Sequence, residues 1–75
     1  MSFSVMGFYP NQDELVFELD ISLSVEELSP VMQWANGNDC VGVDFRLTTA
    51  QALEIGRLAS VDFPDGLDFY LASSE

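Results

Sequence analysis

From Leu15 to Ile21 apolar and polar positions alternate: Leu15, Phe17, Leu19 and Ile21 fall on one side, Val16, Glu18 and Asp20 on the other. A period of two puts successive side chains on opposite faces, so this segment predicts a half-buried strand. The stretch Phe3 to Tyr9 is apolar and partly aromatic or β-branched. Between the two, Pro10-Asn11-Gln12-Asp13 carries turn chemistry, since Pro fixes φ while Asn and Asp side chains bond their own backbone. The pair predicts a hairpin.

The period then changes. Ser24-Val25-Glu26-Glu27 fits a capping box, in which the Ser hydroxyl accepts a backbone N–H and the Glu carboxylate reaches back to the cap. Val25, Leu28, Met32 and Ala35 follow on one helical face. Pro30 conflicts with a helix begun at Ser24, because its ring would meet the carbonyl of Glu26, yet Ser29-Pro30 itself looks like a cap followed by Pro at the first helical position. Either a kinked helix or two short turns is expected, ending near Asn36-Gly37.

Val41, Val43, Phe45 and Leu47 alternate with Gly42, Asp44 and Arg46, predicting a third strand. Thr48 with Gln51 is a second capping box, opening a helix to about Ser60 whose Ala52, Ile55, Leu58 and Ala59 face inward. Gly56 in its middle either weakens it or marks close packing on a neighbour. Val61-Asp62-Phe63 alternates briefly, Pro64-Asp65-Gly66 is a strong turn, and Leu67, Phe69 and Leu71 alternate with Asp68 and Tyr70. The order is ββαβα plus a closing strand or hairpin: an α+β fold with an antiparallel sheet of about four strands and two helices on one face. Ser73 to Glu75 is the end expected to fray.

The chain has 75 residues, which predicts a single domain over 1–75. Its 48% hydrophobic content, with six Phe, two Tyr and one Trp, is too rich for a disordered acidic tail. Charge narrows the partners. Thirteen Asp and Glu face only Arg46 and Arg57, with no Lys and no His, for a net charge of −11. Repulsion of that size argues against binding nucleic acid or an anionic membrane, and favours a basic protein partner. No stretch approaches the roughly 20 apolar residues needed to span a bilayer, and Met1 to Phe8 lacks the basic start of a secretory signal, so a cytoplasmic location is expected. Cys40 stands alone and reads as a small buried hydrophobe.

Without His or Lys, Ser-His-Asp and Cys-His systems, Schiff-base chemistry and His- or Cys-rich zinc sites are excluded. The protein is therefore expected not to be an enzyme and to use no cofactor. Asn36, Asn38 and Asp39, and separately Asp62, Asp65 and Asp68, lie close in sequence but lack the alternating ligand pattern of a calcium loop, so no metal site is predicted.

Strand alternation implies a different constellation. If the apolar sides of the strands pack under the helices, then Glu18, Asp20, Asp44, Asp62 and Asp68 project from the opposite sheet face, with Val16 and Tyr70 among them. An ordinary solvated face would look similar. What favours a binding face is that Arg46 is the one counter-charge expected on it. Trp34 falls at the border of the first helix's apolar stripe, as core or as a partly exposed binding anchor.

Gly7-Phe8-Tyr9, Glu14-Leu15-Val16-Phe17-Glu18, Ser24-Val25-Glu26-Glu27-Leu28, Leu47-Thr48-Thr49-Ala50-Gln51-Ala52 and Leu67-Asp68-Phe69-Tyr70-Leu71 together resemble small acidic bacterial immunity proteins encoded beside polymorphic or contact-dependent toxins. The resemblance implies a protein that binds and neutralises a cognate toxin. A nuclease toxin must be basic to grip phosphates, so an acidic inhibitor suits it. The alternatives are a phage-type nucleic-acid mimic that inhibits a defence nuclease or DNA-binding protein, and a structural or assembly subunit.

Overall fold

The computed structural model describes residues 2–34 and 44–74. Within them the chain runs β1 (Ser2–Phe8), β2 (Leu15–Ile21), α1 (Val25–Met32), β3 (Phe45–Arg46), α2 (Thr49–Ala59) and β4 (Asp68–Ser74). The strands form one sheet in the order β2-β1-β4-β3, and every neighbouring pair is antiparallel. This is the α+β architecture read from the alternation.

β1 and β4 are the central strands and pair along their whole length, from Ser2 opposite Ser74 to Phe8 opposite Asp68. The Oγ atoms of Ser2 and Ser74 lie 3.0 Å apart at the end of the ladder. Ser73 and Ser74, expected to fray, are therefore held in the sheet, because β1 offers each of them a partner. Val61–Phe63 does not form a strand, so β4 closes the sheet as a single strand. Val41 and Val43, expected in the third strand, lie outside the described residues, as does Ala35, while α1 ends at Met32 and so stops short of the Asn36-Gly37 end expected for it.

Both helices begin where the capping boxes put them. The Glu27 N–H donates to Ser24 Oγ at 3.1 Å and the Ser24 N–H donates to Glu27 Oε1 at 3.1 Å. Gln51 and Thr48 repeat the exchange at 3.1 and 2.9 Å. Pro30 sits inside α1, which resolves as one helix of 8 residues. The missing Pro N–H leaves the Glu26 carbonyl without its helical donor, which is tolerable at an exposed position. The helix stops at Gln33, whose φ of 59° is left-handed, and the Trp34 N–H closes back on the Ser29 carbonyl at 3.3 Å. Gln51 Nε2 donates to the Val31 carbonyl at 3.3 Å and ties the two helices together.

Phe3, Val5, Ile21 and Leu71 from the sheet and Leu28, Ala52 and Ile55 from the helices are buried in one core, with Leu23 and Leu47 closing its ends. Full burial of each large side chain contributes about 1.5–3 kcal/mol. A second, aromatic layer continues it: Phe17, Phe63 and Phe69 meet with ring centroids 5.4–6.0 Å apart. Gly7 makes room for this layer, since a Cβ there would stand 3.1 Å from both Phe17 Cβ and Phe69 Cε1. Phe63 thus belongs to the core side as part of the loop after α2.

Candidate functional site

With the helices on one side, register decides which side chains the other side shows. Phe3 pairs with Ile21, Val5 with Leu19 and with Leu71, and Gly7 with Phe17 and Phe69, all on the core side. The intervening positions Ser4, Met6 and Phe8 therefore face outward. So do their partners Asp20 and Glu18 on β2, and Ala72, Tyr70 and Asp68 on β4. Arg46 pairs with Tyr70 and joins the same face from β3.

One row crosses all four strands: Glu18, Met6, Tyr70, Arg46. Strands are spaced about 4.8 Å apart, which puts the ends of this row roughly 14 Å apart. That exceeds the Debye length of about 8 Å at physiological salt, so Arg46 leaves Glu18 and Asp20 uncompensated. Arg46 is engaged nearer home, with its Nη2 3.3 Å from Asp68 Oδ1.

The alternation along β2 breaks at its start. Gly7 faces Phe17 but Phe8 faces Leu15, so Val16 is an extra residue in a bulge. Leu15 pairs with outward-facing Phe8, not with the core, and both Leu15 and Val16 are exposed, at 45% and 38%. The bulge adds apolar area where sequence alternation had placed Leu15 inward.

Next to it Phe8 and Tyr70 meet edge to face with centroids 5.6 Å apart. Together with Met6 they floor a shallow hollow of about 560 Å³, walled by Asp13, Asp44, Arg46 and Asp68. Asn11 and Gln12 complete its rim from the β1–β2 turn, which is tightened by the Gln12 N–H donating to the Tyr9 carbonyl at 3.0 Å and by Asn11 at φ 64°. The hollow has an aromatic floor and three carboxylates on its walls against one cation, Arg46, which pairs with Asp68 and leaves Asp13 and Asp44 in excess. Such a site suits a cationic side chain, which gains from both the ring faces and the carboxylates.

Of the residues singled out in the sequence, Asp44, Asp68 and Tyr70 are brought together in this hollow. Glu18 and Asp20 share the face but stand on its β2 edge. Asp62 does not belong to it. Because residues 61–63 form a loop, Asp62 lines a separate depression against α2, beside Leu53, Gly56 and Arg57. Trp34 is also elsewhere: it stacks on Phe3 at 6.1 Å and packs on Phe45 at 5.4 Å, both core-side positions. It is a half-buried core residue on the helix side of the sheet. Met6, Phe8 and Asp13 are members that sequence reasoning missed. The signal for Met6 and Phe8 was present, since they alternate with Phe3, Val5 and Gly7.

The second arginine is committed on the helix layer. Arg57 Nε donates to Glu54 Oε2 at 3.1 Å and its Nη2 donates to the other carboxylate oxygen, a bidentate pair within one turn of α2. These hydrogen bonds hold the Glu54 carboxyl below the usual carboxylate range and push Arg57 further up. Arg46 is left as the cation of the sheet face.

Among the described residues no group of His, Cys, Asp and Glu could hold a metal ion, and no helix is long and apolar enough to cross a membrane. A family model described as a domain of unknown function, DUF7683, matches residues 3–72. Comparison with curated proteins and with solved structures gives no match.

Proposed function

The chain belongs to the DUF7683 family, a domain of unknown function, and we propose that it is a protein-binding inhibitor that captures a basic partner on the outer face of its sheet. The partner class that fits best is a nuclease-type toxin, which would make the chain an immunity protein. The observation that carries this reading is the composition of that face: an apolar, partly aromatic centre of Met6, Phe8 and Tyr70, with Glu18 and Asp20 on the β2 edge, Asp68 opposite Phe8 on β4, and Asp44 beside them at the approach to β3.

Charged rims steer an oppositely charged partner and raise the association rate, while a desolvated aromatic centre holds it. An ordinary solvated sheet face needs the charges but not the centre. A phosphate mimic would align its carboxylates along a ridge, as a nucleic-acid backbone does. Here Met6 and Tyr70 stand between Glu18 and Asp20 on β2 and the acids of the hollow, which interrupts any such ridge and favours a partner with its own shape.

Co-expression with candidate basic toxin domains, taken first from any toxin gene found adjacent to that of the chain, tests this reading. The wild-type chain is expected to restore growth, and Phe8→Ala with Tyr70→Ala to lose protection while remaining folded by circular dichroism. Undiminished protection by that folded double variant would overturn the sheet-face site. Toxicity untouched by the wild-type chain would overturn the immunity reading.

A further inference from the structure

β2 is one of the two outer strands of the sheet, with only β1 as its neighbour, and it is the longer of them among the described residues. Its seven residues, Leu15–Ile21, contain no Pro, Gly, Lys or Arg. Among the described residues no backbone hydrogen bond joins its free edge to a turn, loop or cap. Folded proteins usually blunt such an edge with Pro, Lys, a bulge or a very short strand, because a row of unpaired N–H and C=O groups recruits another strand. The bulge at Leu15–Val16 covers the start of β2 only. From Phe17 to Asp20 the strand is regular, with half-buried Phe17 and Leu19 on the core side and exposed Glu18 and Asp20 outward.

We propose that this edge pairs in antiparallel fashion with an extended segment of a partner in which Arg or Lys alternates with apolar residues. The basic side chains of such a segment stand opposite Glu18 and Asp20, and its apolar ones opposite Phe17 and Leu19, extending the core side. Directly opposed side chains on neighbouring strands lie about 4.5–5.5 Å apart at Cβ, close enough for ion pairs on one face and apolar packing on the other. Main-chain pairing supplies affinity and the alternating side chains supply selectivity.

Charge excludes a second copy of the chain as the occupant. Antiparallel self-pairing about Glu18 sets Glu18 against Glu18, and self-pairing about Leu19 sets Glu18 against Asp20, with −11 on each copy. The same two acids that keep the edge from pairing with itself select a basic strand. No cation competes for them, since Arg46 stands at the opposite side of the sheet and Arg57 is paired with Glu54. This inference builds on the proposal of a basic partner but does not need the partner to be a toxin.

The probe is a capped synthetic peptide of seven residues, Arg-Val-Arg-Val-Arg-Val-Arg, titrated into the isotopically labelled chain. The expected result is that backbone amides of β2 shift and gain protection from exchange. Methylating the backbone nitrogens of alternate peptide residues along the pairing edge should weaken binding at least 10-fold at unchanged charge. Glu18→Lys with Asp20→Lys should abolish it and confer binding of the corresponding Glu-Val peptide, whereas Glu26→Gln should bind as the wild type does. Equal binding of the methylated and unmethylated peptides, or shifts confined to Tyr70 and the hollow, would overturn edge pairing. Those outcomes leave the sheet-face proposal standing. Undiminished protection by the folded Phe8→Ala, Tyr70→Ala variant, with β2 pairing intact, would do the reverse.

Discussion

Replacing Gly56 by Ala sets two effects of opposite sign against each other, and the structure says which is larger. In an open helix the exchange would stabilise α2 by about 1 kcal/mol, because Ala loses less backbone freedom. At Gly56 the added Cβ would stand 2.8 Å from the Val61 carbonyl oxygen and 3.5 Å from Phe63 Cδ2 and Cε2. The near atom is backbone, so it cannot swing away as a side-chain tip could. That backbone is also fixed from two sides. The Val61 N–H donates to the Gly56 carbonyl at 2.9 Å, and Ser60 holds the left-handed turn that ends the helix at φ 60°. Relief of the clash moves the turn, loosens a hydrogen bond contributing about 1 kcal/mol, and displaces Phe63 from Phe17 and Phe69. Overpacking of this kind costs about 1–3 kcal/mol, and with the weakened hydrogen bond added and the helix gain subtracted the middle of the range is a net loss of about 1–2 kcal/mol. Urea denaturation followed by far-UV circular dichroism reads this directly. With a slope of about 1 kcal/mol per molar for a chain this small, the midpoint should fall by about 1–2 M with no change in slope. A midpoint unchanged or raised in Gly56→Ala would refute the close approach of the α2 end to the loop.

Other consequences of the fold are open to equally direct measurement. Ser24→Ala and Thr48→Ala each remove a cap and should cost about 1 kcal/mol, with Ser24→Gly and Thr48→Gly milder in the same urea experiment. Raising sodium chloride from 0.01 to 0.15 M shortens the Debye length from about 30 to about 8 Å and should raise the melting temperature of the free chain by a few degrees, whereas a fall would mean that attractive pairs dominate. Because Arg57 holds the Glu54 carboxyl below its ordinary range, the stabilisation from that pair is present above the ordinary carboxylate range and is lost as pH falls through the lowered folded value. Titration of the Glu54 side-chain carbon by NMR should shift upward to the ordinary range in Arg57→Gln, and an unmoved midpoint would show that the pair does not persist in solution.

The parts of this structure that are legible in the sequence are the local ones. Each capping box is complete within four residues, so Ser24 and Thr48 declare the helix starts without reference to anything distant. Gly56 was ambiguous for the opposite reason, since its partner Val61 is placed by the path of the chain beyond the helix. Alternation correctly divided Glu18 and Asp20 from Phe17 and Leu19, but it carried Leu15 to the wrong face. A bulge inserts one residue without leaving a mark in the hydrophobic pattern, and only the pairing of Phe8 with Leu15 reveals it. A similar limit explains Asp62. Val61-Asp62-Phe63 alternates because the loop anchors Phe63 in the aromatic layer while Asp62 stays exposed, which a period of two cannot tell from a strand. Trp34 required knowing that Phe3 and Phe45, 31 and 11 positions away in the chain (34 − 3 and 45 − 34), would both reach it. The hollow between Phe8, Tyr70 and Asp44 likewise gathers residues from the first strand, the last strand and the approach to β3, and becomes visible only through the strand order.

The separation of steering from holding on the outer sheet face is the centre of this account, and surface-immobilised kinetics against a basic protein captured by the chain test it most directly. Glu18→Gln, Asp20→Gln, Asp44→Asn and Asp68→Asn should each slow association several-fold and flatten its dependence on salt, with little change in dissociation. Tyr70→Ala should leave association nearly unchanged and speed dissociation about 30-fold, the equivalent of ~2 kcal/mol. Glu26→Gln and Asp62→Asn, which lie off that face, should alter both rates far less. Small, equal effects from every acid on every face, with Tyr70→Ala indistinguishable from them, would contradict a specific binding face and leave only diffuse electrostatic attraction.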